Sequence, residues 1–163
     1  MSVNLLKNDE LEQLKDYCLK HYGLNYEVWA EVSAIKTKDA IWLVNHQAEA
    51  FLCHEGVNEE YESIGLRCFS GVCFPYKITD GFVKIFDNEI KKKKLNLKES
   101  QARAMLKGES IPYEEVVGHD GYNLLFIGNT YLGIGLKKGD QLISQIPKAL
   151  RSQLAKDLEI RNE

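Results

Sequence analysis

The chain has 163 residues, 44% of them hydrophobic, and a formal net charge of -3. That apolar share supports a packed core and excludes global disorder, and the length suits one ordinary domain or two small ones. The charge gives no overall attraction for nucleic acid, so any such face must be local. No apolar run nears the roughly 18 residues of a membrane span, and residues 1–14 lack a signal-peptide core. The expectation is a soluble cytoplasmic protein with no membrane partner.

In chain order, Asn8 is placed to cap a helix that carries Leu11, Leu14, Cys18 and Tyr22 on one face. Gly23 stands where a helix-ending glycine belongs. Asp9 and Glu10 in the first turn, and Lys20 and His21 in the last, suit the helix dipole. Residues 28–35 and 40–44 are β-rich, with Lys38-Asp39 as the turn between them. Residues 48–53 form a further apolar run that Gly56 ends. Residues 64–69, 71–74 and 82–86 read as strands, broken by Gly71, Pro75 and Asp80-Gly81. Trp29 and Trp42 lie between apolar neighbours and are expected in a core.

A composition shift at Asn88-Glu89-Ile90 leads into the lysine run 91–94 and marks a boundary after residue 87. Asn96 and Glu99 have the spacing of a capping box, for a helix carrying Leu97, Ala102, Met105 and Leu106 and stopping near Gly108. Ile111-Pro112 is an extended exit. Two strands follow, 122–127 and 131–136, joined by Gly128-Asn129, a pair that accepts positive φ at low cost. Residues 152–163 are charged and read as a short helix or frayed tail.

The cysteines Cys18, Cys53, Cys68 and Cys73 form no Cys-x-x-Cys pair and are expected as reduced thiols, although Cys68 and Cys73 are close enough to approach one another. The histidines are scattered. Cys53-His54 is the one neighbouring His-Cys pair, and on a strand its side chains would point to opposite faces. No metal or cofactor is expected. Catalysis lacks its usual signatures: there is no Gly-x-Gly-x-x-Gly loop opening a helix and no Gly-Lys-Ser/Thr. Glu114-Glu115 is an acidic pair expected to face solvent, and His119-Asp120-Gly121 reads as a turn before a strand.

Cations carry the functional signal. Lys137, Lys138, Lys148 and Arg151 fall within fifteen positions, with the single acid Asp140 among them. The run 91–94, with Lys98, Arg103 and Lys107, makes a second basic cluster. Such residues on one face could neutralise RNA phosphates. Gly133 and Gly135 would let an RNA backbone approach a strand, and Tyr131 could stack on a base.

The order Ala104-Met105-Leu106-Lys107-Gly108-Glu109, Gly121-Tyr122-Asn123-Leu124-Leu125, Leu132-Gly133-Ile134-Gly135 and Ile146-Pro147-Lys148-Ala149-Leu150-Arg151 resembles a PUA domain. The likeness is to the module behind the catalytic domain of Sun-family 5-methylcytosine RNA methyltransferases and, more loosely, to the C-terminal half of small two-domain ribosome-biogenesis proteins. Ile64-Gly65-Leu66-Arg67 has a weaker counterpart in the same relatives. The resemblance implies an α+β chain, with an N-terminal mixed α/β, pre-PUA-like domain over 1–87 and a PUA-like β pseudobarrel over 88–163.

It further implies a non-catalytic RNA-binding accessory protein for structured rRNA or tRNA, in RNA modification or ribosome assembly. The Pro-Cys nucleophile setting and the cofactor-binding domain of those methyltransferases are missing, so no enzyme activity is expected. The expected RNA contacts are Lys148, Arg151, Lys137, Lys138, Gly133, Gly135, Tyr131 and Lys107. One departure is the apolar stretch Leu142-Ile143-Ser144-Gln145-Ile146, which is more polar or basic in the relatives. It opens the alternative of a protein-interaction module that docks on an RNA-modifying enzyme or a ribosome-assembly protein.

Overall fold

A computed structural model describes residues 3–54, 64–113 and 120–160. It divides into two compact units, Met1–Lys92 and Lys93–Glu163. The division follows residue 92, not residue 87 as the composition shift suggested. The reason is local: the amides of Lys91 and Lys92 both donate to the Tyr22 carbonyl, at 2.9 and 3.1 Å, so half of the lysine run finishes the first unit.

The first unit runs β1 (Asn4–Leu5), α1 (Asn8–Tyr22), a 3-10 turn (Tyr26–Trp29), β2 (Ser33–Lys36), β3 (Ala40–Val44), α2 (His46–His54), β4 (Leu66–Ser70), β5 (Lys77–Ile78) and α3 (Asp80–Phe86). Its strands form one antiparallel sheet in sequence order. Helix α1 buries Leu14, Cys18 and Tyr22 and ends at Gly23 with φ 70°. Asn8 is its first residue, not its cap. The free amide of Lys7 is instead satisfied by the Glu10 carboxylate at 3.0 Å.

Three stretches expected as β-structure fold otherwise. Within 28–35 only Ser33–Lys36 is strand, because Trp29 turns inward on the 3-10 segment and meets Phe86 at 5.3 Å between ring centroids. Residues 82–86 belong to α3, whose Phe82, Val83 and Phe86 bury together against the sheet. A short apolar run has no period that separates strand from buried helix, and here packing decides. Residues 71–74 form a bend that leaves Cys73 and Phe74 exposed. The apolar run 48–53 lies on α2, started by Asn45, whose Oδ1 accepts the Ala48 amide at 2.8 Å.

One face of this sheet carries an aromatic core. Tyr22, Phe69 and Phe86 each lie 5.2 or 5.3 Å from the Phe82 ring. The opposite face gathers Ile35, Val44 and Ile64, with half-buried Trp42 packed against them. Cys18 and Cys68 are buried free thiols and Cys73 is free and exposed. Burial raises the Cys18 thiol, and pushes that of Cys68 up to about 12. The side chains of Cys53 and His54, and Gly56, lie outside the described residues.

The second unit runs β6 (Lys94–Asn96), α4 (Glu99–Lys107), β7 (Ile111–Pro112), β8 (Gly121–Ile127), β9 (Thr130–Lys138), β10 (Gln141–Ser144) and α5 (Lys148–Ile160). Its sheet has the order β6-β8-β9-β10-β7, with β6 and β8 parallel and the other pairs antiparallel. The β8–β9 hairpin turns at Gly128-Asn129 as its sequence predicts. Helix α4 starts later than expected: Gln101 Oε1 accepts the Lys98 amide at 2.9 Å, while Asn96 ends β6 and its Oδ1 accepts the Gly128 amide at 3.0 Å.

The core of this unit joins Ala102, Met105 and Leu106 of α4 and Leu158 of α5 to Leu125, Leu132, Leu142 and Ile146. Residues 148–160 are continuous helix, so the helix expected from residue 152 begins earlier, at Lys148. Helices and strands mix in both units, and the fold is α+β.

Candidate nucleic-acid interface

The basic residues of the second unit do not share one surface. Helix α4 ends with Lys107 exposed, one turn after Arg103, and Gly108 closes it at φ 85°. Helix α5 begins with Lys148 and carries Arg151 in its first turn. The two helices pack against each other. Together they bound a groove of about 430 Å³ whose rim includes Arg103, Lys107, Lys148 and Arg151. Leu106 and Leu158 also line it and are themselves buried, and Glu159 is its acid.

These four cations are held differently. Arg103 donates to Glu99 Oε1 through Nε at 3.0 Å and Nη2 at 2.8 Å, and its Nη1 lies 3.6 Å from Glu159. The Glu99 hydrogen bonds raise its already high pKa, so its charge is permanent and partly neutralised. Arg151 Nε donates to the Ile146 carbonyl at 2.8 Å. Its guanidinium covers Gly108, where a β-carbon would stand 2.0 Å from Nη1. Arg151 is thus a strut between α5 and the end of α4, with its remaining N–H groups at the groove. Lys107 and Lys148 are exposed.

Several expected RNA contacts are placed elsewhere. Lys137 is 8% exposed, and its ammonium group donates to the Gly139 carbonyl at 2.9 Å and pairs with Asp120 at 3.3 Å. Its ammonium group is nearly buried and already engaged within the fold. Gly133 (φ 145°) and Gly135 are buried: a β-carbon at 133 would stand 2.8 Å from Ile146 Cγ1, and one at 135 would stand 3.0 Å from Leu125 and Leu142 methyls. Their missing side chains make room for the protein's own core, not for an RNA backbone. Lys138 is exposed at the far end of β9 from Tyr131, roughly 20 Å away at the usual rise of a strand.

Tyr131 is half-buried beside Phe126, with ring centroids 5.6 Å apart, and Lys94 Nζ lies 5.5 Å from the Phe126 ring. This small aromatic-cation patch is apart from the helical groove in the sequence of elements that build it. Phe126 was not singled out from the sequence. Its signal was the cross-strand pairing with Tyr131 that the hairpin imposes.

The lysine run is split by the fold. Lys91 and Lys92 end the first unit, and Lys94 is exposed on β6. Lys93 is 6% exposed at φ 60°, with Nζ donating to the Asp120 carbonyl at 2.5 Å. Desolvation lowers its pKa despite the nearby Asp120. Lys93 and Lys137 therefore both serve to anchor the start of β8. Glu114, Glu115 and His119 lie outside the described residues.

Leu142 and Ile146 of the apolar stretch are core, and only Ile143, 37% exposed, faces outward, as strand alternation requires. No helix among the described residues is long and apolar enough to cross a membrane.

Compared with known families, residues 92–152 match the family described as Methyltransferase RsmF PUA domain. No curated protein matches the chain. The match spans α4, the β8–β9 hairpin, β10 and the first turn of α5, including Lys107, Lys148 and Arg151. The matched residues are thus similar to a PUA domain of the kind found in an RNA methyltransferase.

Proposed function

We propose that the protein is a non-catalytic RNA-binding accessory factor that acts on structured rRNA or tRNA, with the α4–α5 groove as its phosphate-binding face. The observation that carries this reading is the convergence of Lys107, Lys148 and Arg151 on one groove, inside the PUA-matching residues. Exposed lysines bind phosphate as mobile point charges, and Arg151 adds a fixed one. Duplex RNA would be recognised by shape and backbone, because side chains cannot read its narrow major groove.

The placement of Lys148 supports a role beyond folding. It opens α5 with no acid in the first turn, where a cation opposes the helix dipole. Helix stability alone would favour an acid there. The rival reading, docking on a protein, drew on the 142–146 stretch. That stretch gives the surface little beyond Ile143, so the same observation that places it in the core shifts weight to RNA.

Fluorescence anisotropy with a blunt RNA hairpin at two salt concentrations tests the proposal. The expected result is binding that weakens with salt, and a double variant, Lys107→Ala with Lys148→Ala, whose log K against log salt slope is shallower by roughly 1–2. Absence of hairpin binding at micromolar protein in low salt, or a slope unchanged in the double variant, would overturn it. Both lysines are exposed, so the variant should keep the wild-type fold.

A further inference from the structure

The first unit carries a groove that the PUA reading does not use. It has a volume of about 310 Å³ and is lined chiefly by Tyr17, Lys20, His21, Phe74 and Tyr76. Tyr17 organises it. Its hydroxyl donates to the Tyr76 carbonyl at 3.0 Å, and its ring lies 4.4 Å from His21, 5.2 Å from Tyr76 and 5.7 Å from Phe74. The Tyr17 and Phe74 planes meet at 82°.

Phe74 is 69% exposed, so core packing does not account for its position. It stands on the bend after β4, held at its edge by Tyr17 with most of one ring in water. An exposed ring beside a groove offers a face on which a base can stack.

Lysines from two segments meet at the helix end beside this groove. Lys20 lines the groove. Lys92 Nζ donates to the Lys20 carbonyl at 3.3 Å, and the amides of Lys91 and Lys92 are tied to the Tyr22 carbonyl. Half of the lysine run is thereby pinned to the end of α1 from which Lys20 enters the groove. The groove's acid, Asp16, already accepts the Tyr26 hydroxyl. Lysines at the end of a helix do offset its dipole, but that function needs no aromatic ring in solvent. Aromatic faces among lysines fit a ligand with flat rings and phosphates.

We infer that this groove binds a nucleotide of single-stranded RNA. The base stacks on the exposed face of Phe74, and Lys20 and Lys92 hold the adjoining phosphates. Gln13, also at the groove, offers an amide to the base edge. The choice of RNA as ligand rests on the functional reading above, but the residues are different and the RNA form is different. Stacking on an aromatic face needs an unpaired base, whereas the α4–α5 groove meets a backbone.

The test titrates the full chain with a short unstructured RNA and, separately, with the blunt hairpin. Phe74→Ala should weaken single-strand binding by roughly fivefold or more and leave hairpin binding unchanged. Lys92→Gln should weaken single-strand binding and flatten its salt dependence. Both side chains are exposed, and matching thermal melts would show that the fold is kept. Single-strand affinity unchanged in both variants would overturn the inference, and the α4–α5 reading would stand if the hairpin still bound through Lys107 and Lys148. Single-strand binding that depends on Phe74, with no hairpin binding, would support the inference and remove the other reading. If the wild type bound neither RNA, both would fall.

Discussion

His46 shows how a single side chain can be read for its protonation state. Its Nε2 lies 2.6 Å from the Ala30 carbonyl, which can only accept, so this nitrogen carries a proton. Its Nδ1 lies 2.8 Å from Ser33 Oγ and 3.4 Å from Glu49, and the Ser33 hydroxyl donates to Glu49. With Ser33 donating to Glu49, Nδ1 must donate as well, which the imidazolium satisfies and the neutral ring does not. Serine and glutamate share one ring nitrogen, so the trio is not a proton relay of the Ser-His-acid kind. The Ala30 hydrogen bond, then Glu49, raise the His46 pKa, and the Ser33 hydrogen bond lowers that of Glu49. The histidine's contribution to stability is full below its unfolded value of about 6.5 and is lost as pH rises through the folded value. The glutamate's is present above about 4.3 and is lost as pH falls through its folded value. The gap in urea midpoint between wild type and His46→Ala should thus be wide below about pH 6.5 and narrow as pH rises above it. A gap that grows with pH would contradict this assignment. Gly133 gives a second residue-scale expectation. Gly133→Ala forces a β-carbon against Ile146 at positive φ and should cost about 1–3 kcal/mol by denaturant unfolding. RNA affinity of the protein that remains folded should not change, which separates a packing glycine from one that lines a ligand.

At the scale of elements, the informative pair is α4 and α5. Lys107 ends one helix and Lys148 begins the other, so the same charge suits the dipole of α4 and opposes that of α5. Lys148→Glu should therefore leave stability unchanged or raise it by about 0.3–1 kcal/mol, while it weakens hairpin binding through charge reversal at the groove. Chemical denaturation and anisotropy on the same variant would show the two effects with opposite signs. Arg151→Ala should instead lower both, because it removes the bond to the Ile146 carbonyl, worth about 0.5–1.5 kcal/mol, together with a groove cation. Helix α1 and the β8–β9 hairpin were legible in the sequence, since a three-to-four spacing and a Gly-Asn turn each act within a few residues. Helix α3 was not, because Phe82, Val83 and Phe86 suit a buried strand as well as a buried helix until β4 lies beside them. For α5, Leu154 and Leu158 keep a helical spacing, but its start at Lys148 has no acid in the first turn to signal it.

At the scale of the whole molecule, a net charge of -3 coexists with a basic groove. Affinity for RNA should follow the local cations: log K against log salt for the hairpin should have a slope of roughly -3 if Lys107, Lys148 and Arg151 each neutralise a phosphate. A slope near zero would mean that the groove does not meet the backbone. The sequence by itself determined the apolar face of α1 and the β8–β9 hairpin, because these follow from local spacing, and it carried the resemblance that implied an α+β chain in two parts. Only the tertiary structure decided which cations are left exposed at a groove. Lys137 and Lys148 look alike in sequence, yet one is buried against Asp120 and Gly139 while the other is exposed at a groove. Gly133 and Gly135 likewise look open in sequence, but their empty space is taken by Ile146, Leu125 and Leu142. Exposure and neighbourhood come from residues distant along the chain, so local spacing carries no record of them.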